Sequence, residues 1–257
     1  MVEHVFPVTL GRDYAGVVEQ VGGEVSGYAV GDQVYGFLPA ADPTVHDGTW
    51  AELITVTQGG PIAPVPSGVD IATAGAAPLA AITAMTAVDA LELASGDTVL
   101  VVGASGGVGS LAAQLAANAG ATVIAPALPE DEDYLLGLGV SEVLPRAGDV
   151  VAAVRERHPD GVQAVLDLVS YQPGTFDAIL KDGGRLASPL QAAGDGPGRT
   201  NVMAAATAEN LGRLGELLSR GALRVAIMTT YPLAQAPDAL VALGTNHHQG
   251  KLAIRVR

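Results

Sequence analysis

One short run limits what this chain can fold into more than any other: Val99-Leu100-Val101-Val102-Gly103-Ala104-Ser105-Gly106-Gly107-Val108-Gly109-Ser110-Leu111-Ala112-Ala113-Gln114. Its first four residues form a continuous apolar stretch, the pattern of a strand buried on both faces of a parallel sheet. From Gly109 to Ala119 the composition turns alanine-rich and helical. A strand that enters a helix through closely spaced glycines is built to approach a ligand with its backbone. Gly103 permits the tight turn, the small Gly106 and Gly107 neighbourhood lets N–H groups reach a pyrophosphate, and Gly109 lets helix and strand pack closely. The helix N-terminus adds favourable charge for phosphate. The spacing is G-x-x-G-x-x-G, or G-x-x-G-G-x-G counting Gly107, and departs from the strict G-x-G-x-x-G fingerprint. The expected dinucleotide cradle is Ser105, Gly106, Gly107, Val108 and Gly109.

The same residues satisfy a second motif. Gly103-Ala104-Ser105-Gly106-Gly107 is a G-x-S-x-G elbow, and Asp167 followed by His247 or His248 completes the chain order of an α/β-hydrolase triad around Ser105. Two features oppose it. Such a hydrolase needs several αβ units before its serine, whereas the chain upstream offers glycine-broken strands and a single helix. The elbow also gives no reason for Gly109.

The surrounding pattern supports an α/β fold. Before Ile71 the chain reads as short strands, Ala15–Val21 and Gln33–Phe37, with no helix of ordinary length. Ile71–Val88 is uncharged, and Gly75, Pro78 and its many alanines make it a buried helix and not a membrane span. Beyond Val99 strands are expected at Ala121–Ala125, Ala164–Val169 and Arg185–Ser188, with helices at Tyr134–Leu138, Val150–Arg157 and Phe176–Lys181. This alternation implies a doubly wound parallel sheet. A helix Thr207–Arg220, a β-like Leu223–Met228 and a strand Lys251–Val256 close the chain.

Composition excludes other classes. The 257 residues are 49% hydrophobic and 16% charged, so a folded core and not disorder is expected. A formal charge of -14 repels nucleic acid and anionic lipid. With no cysteine, disulfides, thiolate nucleophiles and thiolate zinc sites are impossible. Met1-Val2-Glu3-His4 lacks the basic and apolar regions of a secretory signal, which leaves the cytoplasm as the default location.

Several separated segments carry a resemblance. Phe6-Pro7-Val8-Thr9-Leu10-Gly11-Arg12-Asp13-Tyr14-Ala15-Gly16-Val17-Val18-Glu19-Gln20-Val21-Gly22, then Gly31–Phe37, Gly48–Leu53, the glycine turn and Gln249–Ile254 resemble, in order, the medium-chain dehydrogenase/reductase superfamily. Within it the chain looks like the zinc-independent quinone oxidoreductase, or zeta-crystallin-like, branch. The resemblance implies a GroES-like β-rich catalytic domain, here over 1–70, a Rossmann NAD(P)-binding domain over 71–206, and a linking helix with a C-terminal return over 207–257, with an active-site cleft between the domains. It also implies further strands ahead of Met1, so the catalytic domain is read as incomplete, and an oligomeric or aggregation-prone state is expected from the strand edges this would expose.

The zinc-binding members of the superfamily carry a Gly-His-Glu motif, which here reads Gly11-Arg12-Asp13. His46, His158, His247 and His248 are read as loop or surface residues. The expected activity is NADPH-dependent hydride transfer to a quinone or an α,β-unsaturated carbonyl, with a small-molecule partner and neither nucleic acid nor membrane. A cofactor-binding chain without turnover is the alternative.

Cofactor choice is divided at the level of the residues. An acid at the end of the second strand would signal NAD, yet that strand ends in Ala125-Pro126-Ala127, and the acids after Pro129 read as a helix start. NADP would ask for a cation, and none appears between Ala113 and Arg146. The resemblance favours NADP, with NAD not excluded, and matches Tyr134 to a tyrosine near the adenosine phosphate and Thr83 to a threonine facing the nicotinamide. By itself Thr83 reads equally as a helix-interior threonine bonded to a preceding carbonyl. Ser170 and Ser188, at C-terminal strand ends, are further candidate cofactor contacts. No catalytic acid is assigned.

Overall fold

The computed structural model describes residues 6–39 and 48–257. The Met1–His4 opening and His46 lie outside them. In chain order the elements begin with β1 (Asp13–Val17), β2 (Gln33–Phe37), β3 (Ile62–Pro64), α1 (Ile71–Ala76) and α2 (Pro78–Ala90). There follow β4 (Thr98–Val102), α3 (Gly109–Asn118), β5 (Thr122–Ala127), α4 (Glu132–Leu136), β6 (Glu142–Pro145), α5 (Val150–Arg157), β7 (Val162–Asp167), β8 (Leu180–Ser188) and β9 (Arg199–Asn201). The chain closes with α6 (Ala208–Ser219), β10 (Ile227–Pro232), α7 (Ala236–Thr245) and β11 (Lys251–Arg255). Two compact units result. One comprises Met1–Ile82, Ala205–His247 and Lys251–Arg257, the other Thr83–Ala204 and His248–Gly250.

The first unit holds an antiparallel sheet β1-β2-β3 and a parallel pair β10-β11. Buried aromatics anchor the sheet. Tyr14 donates its hydroxyl to the Pro61 carbonyl at 3.1 Å, and Tyr35 donates to the Leu211 carbonyl of α6 at 2.6 Å. Burial pushes the Tyr35 phenol up to about 12 and keeps it a donor at any physiological pH. α6 presents Leu211, Leu214, Gly215 and Leu218 to the interior at helical spacing, and the Thr207 hydroxyl caps it by accepting the Asn210 N–H at 3.1 Å. The second unit is a six-stranded sheet in the order β6-β5-β4-β7-β8-β9. Every neighbouring pair is parallel. Leu100, Ile124, Leu144, Val165, Ile179 and Leu186 form its core.

The mixed α/β class and the doubly wound sheet agree with the sequence pattern, and several elements differ in detail. The Phe176–Lys181 helix is absent. Only a 3-10 turn at Asp177–Ile179 forms, because Leu180 opposite Val162 already begins the ladder of β8 on β7. The Ile71–Val88 helix is two helices, since Pro78 cannot continue the hydrogen bonding of α1 and instead opens α2. The first strand is shorter than Ala15–Val21 and starts earlier, at Asp13. The last strands begin and end differently too, β10 starting only at Ile227. β3, β6, β9 and α7 carry too little local pattern to be read from the sequence.

Asp13 ties three parts of the first unit together. Its Oδ1 accepts the Leu79 N–H in the first turn of α2 at 2.7 Å, and Oδ2 lies 3.4 Å from Lys251 Nζ on β11. Burial raises the Asp13 carboxyl pKa, against the opposing pull of Lys251 and the Leu79 N–H. A raised pKa means that the folded state holds this proton more tightly than the unfolded chain does. The contribution to stability is therefore fullest below the ordinary value of 3.8 and is lost as pH rises through the raised value. Asp13→Ala should lose about 1–2 kcal/mol at neutral pH by uncapping α2. In urea titrations, the wild type should gain stability relative to Asp13→Asn as pH falls through the window just above 3.8.

Candidate cofactor site

Strand order reverses between β4 and β7, where the chain passes from building outward through β5 and β6 to building outward through β8 and β9. In open parallel sheets, ligands bind outside the carboxyl ends of the strands at such a reversal. The glycine turn follows β4 at this place, and Leu168–Ser170 follows β7 beside it. Gly103 has φ +87°, and a Cβ there would stand 2.8 Å from Val169 Cγ2. A Cβ on Gly109 would lie 2.0 Å from the Gly103 carbonyl oxygen and 2.7 Å from Ala104 Cα. Gly106 differs, because a Cβ there would meet nothing nearer than the Gly103 oxygen at 3.6 Å.

The turn closes on itself through the Gly106 N–H to the Gly103 carbonyl at 3.2 Å, and the Ser110 N–H bonds to the Gly106 carbonyl at 2.9 Å. No described residue accepts from the N–H groups of Val108 and Gly109, which open α3. These donors and the helix N-terminus make the place fit an anion such as a pyrophosphate.

The elbow's other reading fails on Asp167. This residue is fully buried, and its Oδ1 accepts the N–H groups of Val169 at 3.0 Å and Ser170 at 2.9 Å. It holds the turn after β7 and hydrogen-bonds to no histidine among the described residues. Ser105 is half-buried, and its carbonyl accepts the Gly250 N–H at 2.8 Å.

The remaining candidates lie on other elements. Ser170 Oγ accepts the Gln172 N–H at 3.0 Å and lies 3.2 Å from the Thr175 hydroxyl, so it shapes its own loop. Ser188 ends β8, fully buried, with its hydroxyl accepting the Leu190 N–H at 3.0 Å. Both loops therefore offer a ligand their backbone more readily than their hydroxyls. Thr83 is buried in α2, and Tyr134 is half-buried in α4. β5 ends at Ala127 without an acid. Of the acids beyond it, Glu130 is exposed, while Asp131 is fully buried and accepts a hydrogen bond from Gln249 at 3.0 Å.

One residue escapes a reading by sequence. Arg146 follows β6, and its N–H donates to the carbonyl of Ala127, the last residue of β5, at 3.0 Å. Its side chain is exposed and forms no ion pair among the described residues. The backbone of a cationic residue thus stands beside the end of the second strand, although it is distant in sequence. The signal was in the register of β6 on β5, where Ala127 faces Pro145.

Arg12 occupies the position where the zinc-binding pattern has histidine, and its Nε and Nη2 donate to the Leu38 carbonyl at 3.1 and 3.0 Å. Among the described residues no cluster of three potential ligands exists. His158 is half-buried and pairs with Glu142 at 2.8 Å. Burial raises the Glu142 carboxyl, but hydrogen bonds from His158 and Arg157 outweigh it and hold the group below its ordinary value. No helix among the described residues is long and apolar enough to cross a membrane.

Known proteins resemble both parts of the chain. Residues 2–67 match the alcohol dehydrogenase GroES-like domain, and residues 138–254 match the zinc-binding dehydrogenase family. The solved quinone oxidoreductase from Coxiella burnetii is 31% identical with a TM-score of 0.86, covering 98% of this chain and 80% of its own. The chloroplastic NADPH-dependent alkenal/one oxidoreductase of Arabidopsis thaliana is 30% identical over 254 residues, spanning 96% of this chain and 64% of its own length. The spectinabilin polyketide synthase system protein NorB of Streptomyces orinoci is 32% identical over 274 residues. That match spans 95% of this chain and 12% of the synthase.

The two glycines separate steric from binding roles. Gly109→Ala should destabilise the fold by about 2–3 kcal/mol, because its Cβ has only backbone to displace. Gly106→Ala should melt within a few degrees of the wild type, as thermal unfolding followed by circular dichroism would record.

Proposed function

The chain belongs to the medium-chain dehydrogenase/reductase superfamily, and on that premise we propose that it is an NADPH-dependent oxidoreductase reducing a quinone or an α,β-unsaturated carbonyl without zinc. The observation that carries this reading is the glycine turn at the reversal of strand order, with its free N–H groups at the start of α3. The backbone of Ser105–Gly109 would hold the pyrophosphate. The loops at Ser170 and Ser188 would border the nicotinamide half, with Thr83 on α2, and Tyr134 would flank the adenosine half. A bound nicotinamide supplies the hydride.

What remains for the chain is to bind, orient and exclude water. Among the described residues it offers no histidine, tyrosine or lysine whose position makes it an obligatory proton donor, so solvent is the proposed source of the proton. Zinc is unnecessary in this scheme. Arg12 occupies the histidine position with its guanidinium bonded to Leu38, and the chain has no cysteine.

Arg146 supports the preference for NADP. Its place beside the end of β5 suits a 2′-phosphate, and the strand end has no acid to bind a ribose 2′-hydroxyl. Asp131, the nearby acid, is buried and bonded to Gln249. The quinone oxidoreductase and alkenal/one oxidoreductase relatives support the acceptor class.

Fluorescence titration should show NADPH binding more tightly than NADH, and NADPH oxidation should accelerate on adding a quinone or an enone. Arg146→Glu should weaken NADPH about tenfold or more while leaving NADH within about twofold, a loss on the scale of one charged phosphate contact. Absence of binding to either nucleotide would sink the proposal. Equal loss of both in Arg146→Glu would remove Arg146 from it.

A further inference from the structure

Three residues near the C-terminus belong to the second unit although the residues on either side of them do not: His248, Gln249 and Gly250. Their contacts fall on two loops of the candidate site. The Gly250 N–H donates to the Ser105 carbonyl at 2.8 Å, and Gly250 forms an isolated parallel bridge with Gly106. Gly250 has φ +74°, a conformation that glycine adopts without strain. The Gln249 side-chain amide donates to the Glu130 carbonyl at 3.1 Å and to Asp131 Oδ1 at 3.0 Å.

We infer that Gln249 and Gly250 form a clamp that sets the glycine turn and the loop after β5 at a fixed separation, with Gln249 as the positioning residue for the adenosine half of the cofactor. The inference rests on the cofactor reading above. A dinucleotide spans both loops, the pyrophosphate on the turn after β4 and the adenosine ribose beyond β5. The 3-10 turn Pro129–Asp131 that leads into the short α4 is reached from a distant part of the chain by Gln249, whose one amide group bonds both the main chain and a buried carboxyl. The acid is fully enclosed, so the contact is geometrically restrictive.

The clamp also bears on cofactor choice. Asp131 is the first buried acid after β5, and its Oδ1 is directed to Gln249 and away from service as a ribose acceptor. Asp131 thereby acts on the cofactor through the loop it holds, and Arg146, whose backbone borders the end of β5, is an exposed cation.

The test uses the full chain with NADPH and NADH as probes, comparing wild type with Gln249→Ala and Gln249→Glu. Gln249→Ala removes the donor, and Gln249→Glu keeps the shape but sets a second carboxylate against Asp131. Both variants should raise the dissociation constant for NADPH about tenfold, and because each takes the donor from a buried acid, the melting temperature should fall by a few degrees. Without nucleotide, amide hydrogen exchange should rise across 128–134 in both variants and stay at wild-type rates in β7 and β8. An unchanged affinity in both variants, or a loss of affinity accompanied by faster exchange throughout β7 and β8, overturns the clamp. Wild-type chain that binds neither nucleotide overturns the cofactor reading beneath it, which unchanged affinity in the variants alone does not.

Discussion

The approach of Gly109 to the carbonyl of Gly103 is the constraint on which the rest of this structure depends. With the backbone so close that a Cβ on Gly109 would lie 2.0 Å from the Gly103 oxygen, the start of α3 is held against the turn that leaves β4. That closeness aims the first N–H groups of the helix outward at the sheet's carboxyl edge, and it places them at the reversal of strand order. Fold and anion site therefore have a single steric origin. A side chain at 109 would move the helix, and moving the helix would dismantle the donor array.

The other unit depends on polar groups used sparingly and in enclosed places. Asp13, Tyr14 and Tyr35 each join segments far apart in sequence through one or two hydrogen bonds. Because aromatics are scarce, each such contact carries more of the specificity than it would in an aromatic-rich core, where shape alone can fix packing. Arg12 follows the same logic. In the zinc-binding pattern this position holds a metal ligand, and here the guanidinium fastens the backbone at Leu38.

The chain's acidity shapes how the cofactor proposal must work. A protein of formal charge -14 gives a phosphate no long-range attraction, so binding must come from short-range donors placed by the fold. The glycine-turn amides, Arg146 and the ordering of the adenosine loop by Gln249 are local in this sense. Oriented backbone dipoles keep their strength close to the ligand whatever the net charge, which reconciles an acidic surface with an anionic cofactor.

By itself the sequence determined the parallel α/β unit and the place of its glycine turn, because burial on both faces and the backbone demands of a tight turn leave marks at adjacent positions. It determined β2, α3 and α5 nearly to the residue for the same local reasons. Only tertiary structure decided the rest. Leu180 became strand and not helix because β7 offered it a ladder, and the short β6 and β9 exist because a neighbouring strand completes their hydrogen bonds. Ser170 and Ser188 were legible as strand-end residues, but their hydroxyls accept from nearby N–H groups of their own loops. Asp131 was legible as part of a helix start, while its burial against Gln249, far away in the chain, was not. Arg146 looked too distant to matter until strand register set it beside Ala127. Local pattern records what a residue does to its own backbone, and long-range pairing, which has no fixed spacing, leaves no such record in one sequence.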